Sequence, residues 1–180
     1  MDIEEQELHY TPEAPLLGWR LFRVRASDDE LVLSSPMYHD PEPPSWPKVV
    51  AEARCYEAHP APAAGCRCGI YAAVQGTVDS LPGYLLDTAY DSDPWVYAEV
   101  ACTGRVFVDM RGVRAERAEI VRIALPEAAW AARRQLQQRY RVLVCGVEDV
   151  PAWVTANLRP QGPPPPDVEL GLDLGRLDLF

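Results

Sequence analysis

Alternating apolar and polar side chains predict β-strands over much of the chain. Residues 19–25 alternate in this way, with Arg20, Phe22 and Val24 on one face, as a half-buried strand does. Residues 27–29, Ser-Asp-Asp, are typical of a turn, and the apolar run at 31–33 predicts a returning strand. The first ordered unit is therefore expected to be a β-hairpin.

The longest β pattern lies in the second half of the chain. Residues 95–110 form one apolar-rich run interrupted by Gly104, which indicates a bulge or a barrel corner. Arg111 and Gly112 predict a turn, and residues 113–125 the partner strand. Long bent strands of this kind favour a small curled sheet or a half-open barrel.

Helices are predicted near the end of this pattern. Pro126 suits the first position of a helix. Apolar residues then recur at helical spacing on one face, together with one arginine; these positions are Ala129, Ala132, Arg133, Leu136 and Tyr140. Residues 142–145 predict a short buried strand and residues 148–158 a last helix. Two shorter strands are expected at 48–55 and, with a helical turn as the alternative, at 68–74.

Composition and charge narrow the class of protein. The chain has 180 residues, 48% of them hydrophobic, which is enough for one domain with a core. Of the formal charge of -10, residues 1–13 carry five acidic and no basic side chains. Residues 160–180 carry four acidic side chains against Arg176, which leaves -2 for residues 14–159. Residues 14–159 are therefore close to neutral, which argues against strong, non-specific nucleic-acid binding.

The same features predict the cellular compartment of the protein and the character of its first residues. Residues 1–17 are expected to form an acidic flexible leader. This leader has no apolar run of the secretory kind, and the chain has no stretch of eighteen apolar residues. We therefore expect a reducing, cytoplasmic protein, in which clustered cysteines favour metal binding over disulfides.

Four metal-ligating residues lie within fourteen positions. Cys55, His59, Cys66 and Cys68 follow the spacing C-x3-H-x6-C-x-C, around prolines and Gly65. Three thiolates and one imidazole form the closed tetrahedral ligand set of structural zinc, which has no open position for water. The last C-x-C departs from the usual C-x2-C. A disulfide or redox pair, and unligated thiols, are the alternatives.

A charged strand offers a second candidate site. By simple alternation Arg114 and Glu116 share a face with Ile120, either as a structural ion pair or as the lining of a ligand cleft. With His39 they would form the site of an enzyme, which is the alternative to a binding protein. The sequence has no Gly-rich phosphate loop, G-x-S-x-G or HExxH motif.

One wider resemblance covers residues 18–150. The Cys/His core with the following Cys68-Gly-Ile-Tyr-Ala, then Ala98-Glu-Val, Gly104-Arg-Val and Arg114-Ala-Glu-Arg-Ala, resembles uncharacterised proteins of actinobacteria and their phages. The resemblance implies a shared domain and a source among these organisms. It implies no activity, because that family has none assigned.

The C-terminal residues resemble a docking peptide. Prolines at 163–166 predict a stiff polyproline spacer, followed by leucines among acidic residues. The final Arg-Leu-Asp-Leu-Phe resembles the pentapeptide Gln-Leu-(Ser/Asp)-Leu-Phe by which bacterial polymerases and repair proteins bind the replication sliding clamp. Leu177, Asp178, Leu179 and Phe180 match it, whereas Arg176 replaces the glutamine. Packing as an edge strand on its own domain, or binding of another partner, are the alternatives.

Together these features predict an α+β domain at residues 18–159, between the leader and an interaction tail at 160–180. We expect a curled antiparallel sheet or half-open small barrel with a zinc-stapled loop and two C-terminal helices. The predicted function is that of a non-enzymatic adaptor whose tail binds a protein partner, with the sliding clamp of DNA replication as the candidate.

Overall fold

The computed structural model describes residues 5–35, 45–76, 95–109 and 112–158. Two α-helices and two 3-10 helices accompany eight strands in these ranges. The 3-10 helices are Glu127–Ala132 and Val147–Asp149, and the other elements are β1 Gln6–Tyr10, β2 Leu16–Ser27, β3 Glu30–Ser34, β4 Val50–Glu52, β5 Ile70–Ala72, β6 Trp95–Asp109, β7 Gly112–Leu125, α1 Arg133–Tyr140, β8 Leu143–Gly146 and α2 Ala152–Asn157.

The strands form one open, mainly antiparallel sheet around β6 and β7. Its central path is β3-β2-β6-β7-β4. β1 and β2 pair in succession with one edge of β6. Three short strands, β4, β5 and β8, pair with the other edge of β7, and β8 runs parallel to it. The predicted α+β class with a curled sheet is confirmed.

The sheet curls at its bulges and where β2 meets β5. The β6–β7 register shifts between Thr103 and Val106, at Gly104, whose φ of +76° favours glycine. Trp19 and Ala73 exchange two backbone hydrogen bonds of 2.7 Å, which draws β2 against the end of β5. Gly18 permits this approach, because a Cβ atom there would lie 2.9 Å from that of Ala72.

Helices cover both faces of the sheet. The larger core contains Phe22 and Ile123 with Leu136 and Tyr140 of α1. The smaller core contains Trp19 and Leu21 with Val154 of α2. The Tyr140 hydroxyl accepts a 2.8 Å hydrogen bond from the Leu33 backbone N–H, which ties α1 to β3. Neither α-helix of the described chain is long and apolar enough to cross a membrane.

Several predicted elements need correction. Residues 6–10 of the predicted flexible leader are an edge strand, because the open edge of β6 supplies backbone partners. Pro126 precedes a 3-10 helix instead of opening an α-helix, and Arg133, predicted on the packing face, is exposed. His39 and residues 160–180, including Leu177, Asp178, Leu179 and Phe180, lie outside the described residues.

The predicted faces of β7 are also wrong. Ala115 and Ala118, three residues apart, both lie in the larger core with Ile120. Alternation is therefore broken opposite the Gly104 bulge, and Arg114 faces away from Ile120.

Candidate metal centre

The four predicted ligands lie in the loop between β4 and β5, and we call residues 55–68 the metal loop. β4 and β5 pair with neighbouring stretches of β7, at residues 117–119 and 113–115. Both ends of the loop are therefore fixed to one strand, although the loop has little regular structure of its own.

The structure brings all four ligand atoms together. The sulfur atoms of Cys55, Cys66 and Cys68 and one ring nitrogen of His59 lie within 4.8 Å of one another. The Cys55 Sγ atom is 3.3 Å from His59 Nε2 and 3.7 Å from Cys66 Sγ. In a tetrahedral site the metal lies about 2.3 Å from sulfur and about 2.0 Å from nitrogen. Two sulfur ligands are then about 3.8 Å apart, and a sulfur and a nitrogen ligand are about 3.5 Å apart. The group can hold a metal ion.

The cysteines themselves make no disulfide. All five lie in the described ranges and all are free, Cys102 being buried and Cys145 partly buried. Burial in the larger core raises the pKa of the Cys102 thiol to about 12.

Backbone turns aim the ligands at a common point. Ala58 and Gly65 adopt positive φ angles of 56° and 72°, so the chain reverses within each half of the loop. The Glu57 N–H points at Cys55 Sγ across 3.4 Å, and the Cys66 N–H donates to the Ala63 carbonyl at 3.2 Å.

A hydrogen bond orients the imidazole of His59. Its Nδ1 atom lies 3.1 Å from the Pro60 carbonyl oxygen, which can only accept, so Nδ1 carries the proton. Nε2 is then free to bind a metal, as in most histidine metal sites. The same carbonyl accepts a 3.3 Å bond from Arg105 Nη2 on β6, which fixes the orienting group to the sheet.

Arg114 supports the loop from beneath. Only 6% of this residue is exposed. Its Nη1 donates to the carbonyl of Cys66, to that of Cys68 at 2.9 Å and, at the limit of hydrogen bonding, to that of Ala63 at 3.5 Å. Its Nη2 pairs with the carboxylate of Glu5, just before β1. The guanidinium thus holds the backbone of two ligands and links it to the start of the chain.

The C-terminal half of the loop has one further support. The Tyr71 hydroxyl on β5 donates to the carbonyl of Arg67, which lies between the last two cysteines. The apolar run after Cys68 predicts that Tyr71 helps to anchor the metal loop, and this hydrogen bond is one such anchor. The position of Tyr71 three residues after Cys68 is the one signal that the sequence offers.

The pKa values of the two cysteines of the C-x-C pair, Cys66 and Cys68, are shifted in opposite directions. Hydrogen bonds from the backbone and thiol of Cys68 lower the pKa of Cys66 to about 7. Burial, followed by the neighbouring Cys66, raises the pKa of Cys68 to about 11. Without a metal, this pair of cysteines therefore favours a single thiolate. A bound dication would supply the positive charge that stabilises more than one thiolate.

The second candidate site is not assembled as predicted. Arg114 is buried but pairs with Glu5, not with Glu116. Glu116 accepts a 3.1 Å bond from the Arg105 backbone N–H, pairs with Arg117 at 3.0 Å, and lines a cavity of about 250 Å³ beside Pro60. Arg114 does not line that cavity. His39, the third predicted member, is outside the described residues.

Comparison of the chain with models of protein families, with curated proteins and with solved structures finds no match.

Proposed function

We propose that this is a zinc-stabilised adaptor domain of the reducing cytoplasm, which binds a protein partner through its C-terminal tail. The observation that carries the metal assignment is the closed set of three sulfur atoms and one nitrogen within 4.8 Å. The resemblance of the Cys/His core to actinobacterial and phage proteins favours a source among these organisms.

Zinc is the metal that this ligand set favours. Thiolates and imidazole in a tetrahedron suit Zn²⁺, which has no geometric preference from d electrons and no redox chemistry. Four protein ligands fill the coordination sphere, so no position is left for a catalytic water. The supporting bonds to Pro60, Cys66 and Cys68 act on the backbone, as expected of a centre that stabilises a fold.

Zinc content is the direct test. Full-length protein purified without added metal should contain one zinc ion per chain by elemental analysis, whereas a Cys55→Ser, Cys68→Ser double variant should contain none. The variant Cys102→Ser serves as a control, because Cys102 lies in the larger core and is not among the four clustered side chains, and it should retain one zinc. A wild-type chain that carries less than about half an equivalent of any transition metal would contradict the proposal.

The partner assignment depends on the sequence of the tail. Leu177, Leu179 and Phe180 can each contribute about 1.5–3 kcal/mol on burial in an apolar groove. The ordering of a free tail offsets much of this, so we expect micromolar affinity. The polyproline spacer at 163–166 would hold the peptide away from the domain and lower that cost.

Binding to a purified bacterial sliding clamp tests the tail. We expect full-length protein to bind with a Kd of about 1–100 μM, and a Leu179→Ala, Phe180→Ala variant to bind at least about tenfold more weakly. Leu170→Ala, Leu172→Ala is the matched control, since it removes two leucines of the same tail outside the motif. Equal affinity for all three proteins, or no binding by wild type, would reject the clamp as partner.

A further inference from the structure

A second site lies between β2, β4 and β5, and its lining includes no metal ligand. It is a cavity of about 610 Å³, which we call the Arg20 cavity. Trp46, Ala51 and Ile70 of the larger core line its inner part, and Ser45 and Arg54 are exposed at its rim. Its volume lies within the usual range for small-molecule sites.

Arg20 is a buried cation without a carboxylate. It lies on the same face of β2 as Phe22 and is only 3% exposed. Its Nη2 donates to Ser35 Oγ at 3.1 Å, whereas its buried Nε has no hydrogen-bond partner. No carboxylate of the described chain lies within ion-pairing distance of it. Arg114 and Arg122 differ from it in this respect, since Arg114 pairs with Glu5 and Arg122 with Glu99.

Aromatic rings compensate this charge only in part. The guanidinium carbon lies 4.7 Å from the centroid of Phe22 and 4.6 Å from that of Trp46. Such contacts contribute much less than the desolvation of a guanidinium costs. A buried charge of this kind normally has a counter-charge. The two rings hold the guanidinium in place beside the cavity, but they do not supply the negative charge that would neutralise it.

Trp46 forms an apolar wall of the cavity beside Arg20. It is 7% exposed, its backbone N–H donates to the Leu33 carbonyl at 2.6 Å, and its indole Nε1 is buried without a partner. An indole N–H can only donate. The charge of Arg20, with Trp46, Ile70 and Ala51 as apolar walls, defines a ligand that has an anionic acceptor and an apolar body.

We propose that the Arg20 cavity binds a small molecule that carries an oxyanion, either a carboxylate or a phosphate, on an apolar or aromatic body. The oxyanion accepts hydrogen bonds from the guanidinium of Arg20, and the apolar body packs against Trp46 and Ile70. Arginine suits this role because its planar fork matches both kinds of oxyanion.

Binding of simple probes to the full-length protein tests the proposal. Benzoate and phenyl phosphate distinguish the two oxyanions, inorganic phosphate tests the anion alone, and benzamide is the neutral match of benzoate. By calorimetry, at least one aromatic anion should bind one site about tenfold or more tightly than benzamide does, because charge-assisted hydrogen bonds are the stronger ones. Failure of both aromatic anions to bind at 10 mM (about the weakest detectable affinity), or equal binding of benzamide, would overturn it.

Variants locate the site. Arg20→Met should lower the affinity of the anion at least about tenfold and should not lower the unfolding temperature, because it removes an uncompensated buried charge. Arg133→Met is the matched control, since Arg133 stacks on Trp130 at 5.0 Å but is exposed. This variant should bind the anion with the affinity of the wild-type protein. Unchanged affinity in Arg20→Met would overturn the proposal.

A spectroscopic readout covers the case in which Arg20→Met does not fold. The indole N–H resonance that is absent from Trp46→Phe identifies Trp46 among the five tryptophans. Addition of benzoate or phenyl phosphate should shift this resonance of wild-type protein more than the other four. A larger shift at another tryptophan, or none at all, would place binding elsewhere and reject the Arg20 cavity.

Discussion

Removal of the metal should lower the free energy of unfolding by at least about 4 kcal/mol. Structural zinc contributes about 10–16 kcal/mol to small zinc fingers, which are unfolded without it. This domain should lose less, because its sheet has two cores that include no metal ligand. For a domain of this size, 4 kcal/mol corresponds to a fall of about 8–16 °C in Tm.

Calorimetry of metal-loaded, chelated and Cys66→Ser protein would measure this effect. The chelated protein and the Cys66→Ser variant should unfold at similar, lowered temperatures, and adding zinc back should restore only the former. Cys145→Ser is the control, since the Cys145 thiol donates to the Ile123 carbonyl at 3.6 Å and a serine hydroxyl keeps that donor. If loaded and chelated proteins unfold at the same temperature, the loop does not depend on a metal.

Substitution of Arg114 by methionine should affect stability and metal affinity together. It leaves the carbonyls of Cys66 and Cys68 without their donor and the Glu5 carboxylate without its partner. Loss of one member of a fully buried ion pair costs about 3–5 kcal/mol, and the 26% exposure of the Glu5 side chain places this loss at the lower end of that range. Loss of a group that orients metal ligands lowers metal affinity about 10–100-fold. Both effects are measurable, by denaturant unfolding and by competition with a chromophoric chelator.

Arg122→Met separates the two effects. Arg122 is another β7 arginine, paired with Glu99 at 3.1 Å and stacked on Trp19 at 5.0 Å, but it makes no contact with the metal loop. Its loss should reduce stability by about 1–2 kcal/mol, because its side chain is partly exposed, with metal affinity unchanged. Equal losses of metal affinity in both variants would show that Arg114 acts only through general stability.

Most of the strands and the clustering of the four Cys/His side chains could be predicted because their signals are local. The alternation in β2 lies within one short stretch of chain, and so does the whole Cys/His set. Asp28 and Asp29 adopt positive φ angles in the hairpin turn that their composition indicates. These features can be predicted without knowing which residues pack against them.

The faces of β7 and the role of its arginine could not be predicted in this way. A single bulge reverses which side chains point inward, and the sequence marks it only by Gly104 on the neighbouring strand. The Arg114 side chain bonds to Cys68, 46 residues earlier, and to Glu5, 109 residues earlier. The acidic composition of residues 1–13 predicted a loose leader, whereas pairing with β6 decides the structure of Gln6–Tyr10.

The Arg20 cavity shows the same contrast. Alternation correctly places Arg20 on one face with Phe22 and Val24, and a cation on an apolar face is a signal of an unusual site. Its environment depends on Trp46, which bonds to β3, and on Ile70 of β5, so the sequence alone gives no reason to join them.

Arg114 follows Cys68 by 46 positions, so the metal ligands are synthesised before the strand that supports them. All four metal ligands leave the exit tunnel well before β7, which carries the guanidinium and offers the edge on which β4 and β5 pair. A nascent chain therefore exposes its thiols while neither flanking strand has a template. Capture of the ion at that stage would fix the separation of β4 and β5 in advance, so that the later strand meets two aligned partners.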